Sequence, residues 1–337
     1  MKRNYSIDLM RIFLCLCVIG AHSLEHFGIE NYYTNAILTF FLLQANGAFF
    51  VLSGYFNLEQ EFKDSTDIKK YYKHKIIYIL LPFLAFIFVW AVWDYIHDNG
   101  CFDILGILKS FYESFMFKSS NDHMWFMYPL FGLLLSTPFL SKMLHSMDDK
   151  ELKIIWYITL IWNIIAYYIC YDMGNNFKFM NWIIDGWLFY YFAGYYYRHI
   201  ISKESNVKWA IIGISCFILT NLGVFFMPIF EGVTDFQPMF VVFCVCCLMF
   251  WDKVIKVNNE KIQKIIVFLS RNTFFIYLFH MRAMEYATRK LSISGTGFVS
   301  WILVIISTFV IALIASIIAN ALLKPIQKYL DKKWIIK

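Results

Sequence analysis

Charge is scarce in this chain. Asp, Glu, Lys and Arg supply 16% of its 337 residues, while hydrophobic residues supply 60%. Soluble domains carry roughly 25% charged residues, so an ordinary soluble domain is excluded; the mean hydropathy is +0.56. No internal repeat, low-complexity tract or soluble domain interrupts the apolar segments. No small-residue cleavage site follows the first of them, which therefore reads as a retained helix rather than a signal peptide. The cysteines lack polar company. Most of the eight lie inside apolar runs, and the cluster Cys244-Val245-Cys246-Cys247 has no neighbours suited to close a metal site. They read as small packing residues, so no metal and no disulfide framework is expected. The basic residues are spread among loops, so the net charge of +6 does not suggest nucleic acid as a partner.

What is present is apolar length. A bilayer span needs about 20 residues, and ten stretches qualify or nearly so: 7–26, 36–56, 76–96, 123–141, 152–170, 182–197, 209–227, 238–251, 265–284 and 298–323. The sixth and eighth are short enough to be tilted, broken or buried within a bundle. With the N-terminus inside, the inner segments hold 22 Lys and Arg and the outer loops five. This asymmetry supports ten helices with both ends cytoplasmic. The expected fold is all-α: a polytopic membrane protein, a bundle of about ten transmembrane helices, forming a single domain over 1–337. The longest outer loop, 97–122, contains an amphipathic stretch from Ile104 to Tyr112 that suits a short helix lying in the interface.

Ionisable groups inside spans are costly and mark functional sites. Asp8, Arg11 and His22 occupy one stripe of the first helix. Eleven residues separate Arg11 from His22, which is three turns plus about 20° and roughly 16 Å of rise. Arg11 falls near the cytoplasmic face and His22 nearer the outer one. Arg offers a fixed fork for phosphate or carboxylate, and His gives and takes protons near neutral pH. The bland alternative is an Asp8–Arg11 pair at the membrane edge with a hydrogen-bonded His22.

Further along, Asn46-Gly47-Ala48 and Ser53-Gly54 permit close approach of a helix or a ligand. Helix packing is favoured for the two glycines, and Asn46 and Ser53 read either way. The basic run Lys69-Lys70-Tyr71-Tyr72-Lys73-His74-Lys75 suits phosphates or simply topology. His123-Met124-Trp125-Phe126 opens the fourth span, as an interfacial belt or a platform for sugar rings. The ninth carries Arg271 at its inner side and His280 deeper, an arrangement like that of the first helix.

These residues resemble a known family, the integral-membrane acyltransferases called acyltransferase family 3, over nearly the whole chain. Asp8 and Arg11 followed by His22 resemble its opening Arg-x10-His. Phe49-Phe50-Val51-Leu52-Ser53-Gly54-Tyr55 resembles its FFxxSGY/F segment, His123 to Phe126 its HxWF/Y segment, and Ser270 to His280 its late SxxTFxIYLxH segment. The resemblance implies transfer of an acyl group, in most cases acetyl, from cytoplasmic acyl-CoA to a hydroxyl of an extracytoplasmic or lipid-linked glycan at the bacterial plasma membrane. It implies catalysis by His22 with Arg11 and Asp8. Arg11, Lys73, Lys75 and Arg271 become candidates for holding acetyl-CoA. Asn46, Ser53, His123, Trp125 and His280 become candidates for the glycan acceptor. Where the family shows Arg-x-x-Arg before the third helix's Pro, this chain has Lys75 and Tyr78 ahead of Pro82; Lys lacks the bidentate fork. No stretch of these 337 residues resembles the extra esterase-like domain that some members append, and a single-component enzyme is the simpler expectation. The rival from another class is a transporter or flippase for an anionic lipid-linked sugar, which intramembrane Arg and His serve equally well. A glycan polymerase fits less, because its outer loops are expected to carry more Arg.

Overall fold

In the computed structural model, the described residues are 3–27, 31–117, 122–170, 184, 186–226, 237–291 and 297–334, and every regular element among them is helical. Twelve α-helices follow in order. They are α1 (Tyr5–Phe27), α2 (Tyr32–Asn57), α3 (Ser65–Lys75), α4 (Leu81–Asn99), α5 (Ile104–Met116), α6 (Met127–His145), α7 (Asp149–Ile164), α8 (Gly186–His199), α9 (Asn206–Phe226), α10 (Pro238–Met249), α11 (Glu260–Leu291) and α12 (Phe298–Lys333).

Among the described residues, six helices are long and apolar enough to cross a membrane: Tyr5–Leu24, Tyr32–Asn57, Ser65–Asn99, His123–His145, Glu260–Leu291 and Phe298–Lys333. They account for the first four and last two expected spans. The other four expectations meet shorter elements. The run 152–170 falls on α7 and a following π-turn, 182–197 on the 14-residue α8, 209–227 on α9 and 238–251 on the 12-residue α10. Residues 182, 183, 185 and 227 of those runs lie outside the described set. The apolar character is present; among the described residues α8 runs for 14 residues and α10 for 12, continued by a π-turn at Phe250–Val254, against the roughly 20 residues of a straight span. Their hydrophobicity also serves protein contacts: Tyr190, Tyr191, Tyr197, Phe240 and Cys244 are all fully buried.

The chain forms two compact units, 1–61 with 136–313, and 62–135 with 314–337. In the first, α2 and α8 touch backbone to backbone. A Cβ at Gly54 would overlap the Tyr191 carbonyl, and one at Gly194 would overlap that of Val51. Gly47 sits under the Tyr190 ring. The small residues of the second span therefore serve helix packing, the favoured reading for Gly47 and Gly54. Phe50 stacks on Trp187 at 4.6 Å, and Thr137 meets the Tyr191 hydroxyl at 2.7 Å.

In the second unit, α3 and α4 form one continuous helical rod, polar over α3 and apolar over α4, through a π-turn at Ile76–Leu80. Pro82 has no N–H to offer the Tyr78 carbonyl, and a widened turn just before it is the usual accommodation. Gly100, at φ 65°, ends α4, and Asp103 caps α5 by accepting from the amides of Leu105 and Gly106. The next helix then doubles back rather than lying flat. Phe88 meets Phe111 at 5.6 Å, and Phe83 lies 6.5 Å from Phe115. Phe111 and Phe115 thus pack along α4 as the second arm of a hairpin, while Ile104, Leu105 and Leu108 of the amphipathic stretch stay exposed. Tyr128 donates to the Phe115 carbonyl at 2.6 Å and sets its ring edge-on to Phe83. So α6 begins beside Phe83, sixteen residues and roughly 24 Å of rise from the Asn99 end of α4. The 3-10 turn Asp122–Phe126, carrying His123 and Trp125, leads into α6 from that level.

Candidate functional site

The first unit brings the α1 stripe against α11. Asp8 is nearly buried, at 5% exposure. One carboxylate oxygen is ion-paired to Arg3 Nε. The other accepts from Ser270 Oγ of α11 at 2.8 Å and lies 3.5 Å from Arg11 Nη1. Asp8 is therefore saturated by neighbours and acts as a structural node. Arg11 is held loosely by comparison. Its guanidinium lies over the Phe56 ring at 4.7 Å, and its side chain is 35% exposed. That leaves most of its five donors available to an anion. The same end of the unit is fastened by Asp252, which accepts from Asn4 Nδ2 and from the Tyr197 hydroxyl, both at 2.7 Å.

Three turns along, α1 is clamped just before His22. The Gly20 carbonyl accepts from Ser23 Oγ and from Trp301 Nε1 of α12, each at 3.0 Å. Gly20 leaves room for this: a Cβ there would sit 3.1 Å from Leu42 and 3.5 Å from the Trp301 ring. His22, half-buried, then faces His280 of α11, with ring centroids 5.3 Å apart and planes inclined by 34°. His280 is fully buried, and its Nδ1 lies 2.6 Å from the Tyr277 carbonyl. The site in this unit therefore has an accessible guanidinium at one end and a paired imidazole at the other. An anion can be held at the first and a proton moved at the second.

The remaining candidates fall into place individually. Asn46 and Ser53 are half-buried on α2, and the Ser53 carbonyl accepts from Asn57. Arg271 is exposed, next to Ser270. His280, expected among the acceptor-binding residues, has no surface of its own and is reached through its neighbours. In the second unit, Lys73 forms a 3.0 Å ion pair with Asp331, and Lys75 lies over the Tyr71 ring at 4.9 Å. Lys73 thus already has a carboxylate partner. His123 is 6% exposed and Trp125 39%.

Sequence reasoning did not single out Trp301 or Arg3. Trp301 is the kind of residue that a donor inventory finds, since a buried indole N–H needs an acceptor. Replacing it with Phe keeps the ring and removes the donor. The expected cost is about 1 kcal/mol, read as a lower thermal midpoint of the purified protein in detergent.

The model of the acyltransferase-3 family, described as an acyltransferase domain, matches residues 4–320. It runs through both compact units. No curated protein and no solved structure gave a significant match. Matched over nearly its whole length, with long apolar helices and a His–Arg stripe on the first of them, the chain belongs to the acyltransferase-3 family and is a membrane acyltransferase.

Proposed function

We propose that this protein is an O-acyltransferase of the bacterial plasma membrane, with ten membrane-embedded helical segments and both ends in the cytoplasm. It moves an acyl group, most simply acetyl, from cytoplasmic acyl-CoA to a hydroxyl of an extracytoplasmic or lipid-linked glycan. The observation that carries this reading is the α1 face. Arg11, loosely held and 35% exposed, lies three turns from His22 in its imidazole pair. The charge of the donor's phosphates suits the first, and proton transfer suits the second.

In this scheme Arg11 binds a donor phosphate, with Arg271 assigned to the donor by charge. Asp8 orients Arg11. The thioester reaches into the protein, and Asn46 and Ser53 line the acceptor. His22 removes the proton of the acceptor hydroxyl as its oxygen attacks the thioester carbon. The C–O bond forms, the C–S bond breaks, and the proton passes to the departing CoA sulfur. An acyl group carried transiently on the His22 ring is the covalent variant of the same chemistry, visible as a burst of CoA release.

The test is ligand-dependent stabilisation joined to product analysis. Acetyl-CoA at a hundredfold excess over its Kd adds about 2.7 kcal/mol, a clear rise in thermal midpoint for the detergent-solubilised protein. Mass spectrometry of surface glycans from cells with and without the gene should show one missing acyl increment. A transporter of lipid-linked sugar gives neither result.

A further inference from the structure

The positive charge of this chain is concentrated in one place. Residues 62–75 and 324–334 hold nine Lys and three Asp, an excess of six that equals the formal net charge of the whole chain, +6. Both stretches belong to the second unit, and they lie side by side. Gln327 donates to the Ile77 carbonyl at 3.3 Å, and Lys73 pairs with Asp331 at 3.0 Å. Four residues forward on α12 are matched by four residues back along α3, so the end of α12 runs antiparallel to α3.

That pairing fixes where the other lysines go. Lys70 stands three residues before Lys73, and Lys328 three before Asp331. Each is therefore rotated about 60° from the contact line of its helix, and Lys332 about 100°. Because the helices are antiparallel, equal rotations turn all three to the same side of the pair. Along the pair they fall within roughly 9 Å of rise. All three are exposed and donate to no carboxylate among the described residues. One side of this corner is thus a basic groove whose floor is the Lys73–Asp331 ion pair.

The groove is continuous with an apolar face. Ile314 and Ile317 of α12 are exposed. Eleven residues separate Ile317 from Lys328, which is three turns plus about 20°, so they share a face. The rise between them is roughly 16 Å, about the hydrocarbon depth of one leaflet. Beside the lysines, Tyr329 and Trp334 are exposed, as aromatic residues at a membrane interface are. A ligand with phosphate at one end and a long hydrocarbon at the other matches this run. A free phosphate uses only the groove.

We propose that the corner between α3 and the end of α12 binds an anionic phospholipid, with Lys70, Lys328 and Lys332 around the headgroup phosphate and the tails along Ile317 and Ile314. The proposal needs only that α12 crosses a bilayer, and it stands apart from the acyl donor and from His22. Three ammonium groups converging on one phosphodiester give a preference for anionic over zwitterionic lipid that isolated lysines do not.

The experiment uses purified full-length protein and native mass spectrometry, with phosphatidylglycerol and phosphatidylcholine of matched chains in equal amounts. The wild type should retain phosphatidylglycerol in preference, and added salt should erode the preference by screening. Combining Lys70→Gln, Lys328→Gln and Lys332→Gln should weaken phosphatidylglycerol binding roughly 100-fold, about fivefold for each lysine. Lys256→Gln, Lys261→Gln and Lys264→Gln together remove the same charge elsewhere and should change it less than about twofold. Lys332→Gln alone, in the exposed last turn of α12, should cost about fivefold and keeps the test open if the triple variant does not fold.

Equal retention of the two lipids by the wild type overturns the proposal. Equal losses in the two triple variants overturn it too, because general charge then explains the binding. Displacement of phosphatidylglycerol by inorganic phosphate at the same concentration marks a free-anion site and overturns the lipid assignment. So does a groove variant that keeps phosphatidylglycerol but is no longer stabilised by acetyl-CoA, which gives the groove to the donor.

Discussion

Acyl transfer by His22→Ala is expected to fall by roughly 10²–10⁴-fold, the range lost when a positioned general base is removed. The fall should appear in kcat. Arg11 sits three turns away on α1, so acetyl-CoA should still raise the thermal midpoint of the variant as it does that of the wild type. Arg11→Ala is the complementary case. It should weaken that stabilisation and raise KM for acetyl-CoA while leaving the imidazole pair in place. The two variants separate because their side chains stand three turns apart at opposite ends of one stripe. Turnover of His22→Ala within threefold of wild type removes His22 from the chemistry.

The largest stability effect is expected at Gly54. Its missing Cβ is filled by the Tyr191 backbone. An alanine methyl there meets a carbonyl that cannot rotate away, and α2 and α8 must separate along their whole contact. Overpacking of this kind costs about 3 kcal/mol or more. Gly54→Ala should therefore give little monodisperse protein on size-exclusion chromatography in detergent. Gly132→Ala is the control with the opposite sign. Among the described residues nothing lies within 4 Å of the Cβ position at Gly132, and Ala in a helix gains about 0.5–1 kcal/mol over Gly. Equal yields from the two variants would mean that the α2–α8 contact is looser than described.

Much of the architecture was legible because membrane helices write their length into composition. The first four and last two expected spans correspond to helices of sufficient length, and the asymmetry of Lys and Arg remains the basis for their orientation. The stretches on α7 to α10 were harder, for a physical reason. A residue buried in protein and a residue facing lipid are equally apolar, so hydropathy cannot tell the buried tyrosines of α8 from a span. The amphipathic period of α5 was correct, but a period does not say whether the apolar face meets lipid or α4. Gly100 and Asp103, a left-handed stop and a cap three residues apart, carried the turn that decides it.

At the site, helical spacing alone put Arg11 and His22 on one face, because both sit on the same uninterrupted helix. The partners of that face were not legible. Ser270 and His280 arrive from more than 250 residues away, and Trp301 from still further. No local pattern encodes which helix will lie beside α1. The ion pair between Lys73 and Asp331 was hidden for the same reason, and it changes how a basic cluster should be read.

The Asp8 carboxylate has a mechanical consequence. It is gripped at once by Arg3 ahead of it, Arg11 behind it and Ser270 on α11. Arg3 and Arg11 travel with α1, but sliding α1 by one residue along α11 shifts it about 1.5 Å and turns it about 100°, and the Ser270 bond, the one grip that comes from α11, is lost. Asp8 thus works as a detent, permitting one axial setting of these two rods and no neighbouring one. His22 meets His280 only at that setting, so a single carboxylate at one end of the helix sets the alignment of two rings roughly 20 Å of helix rise away.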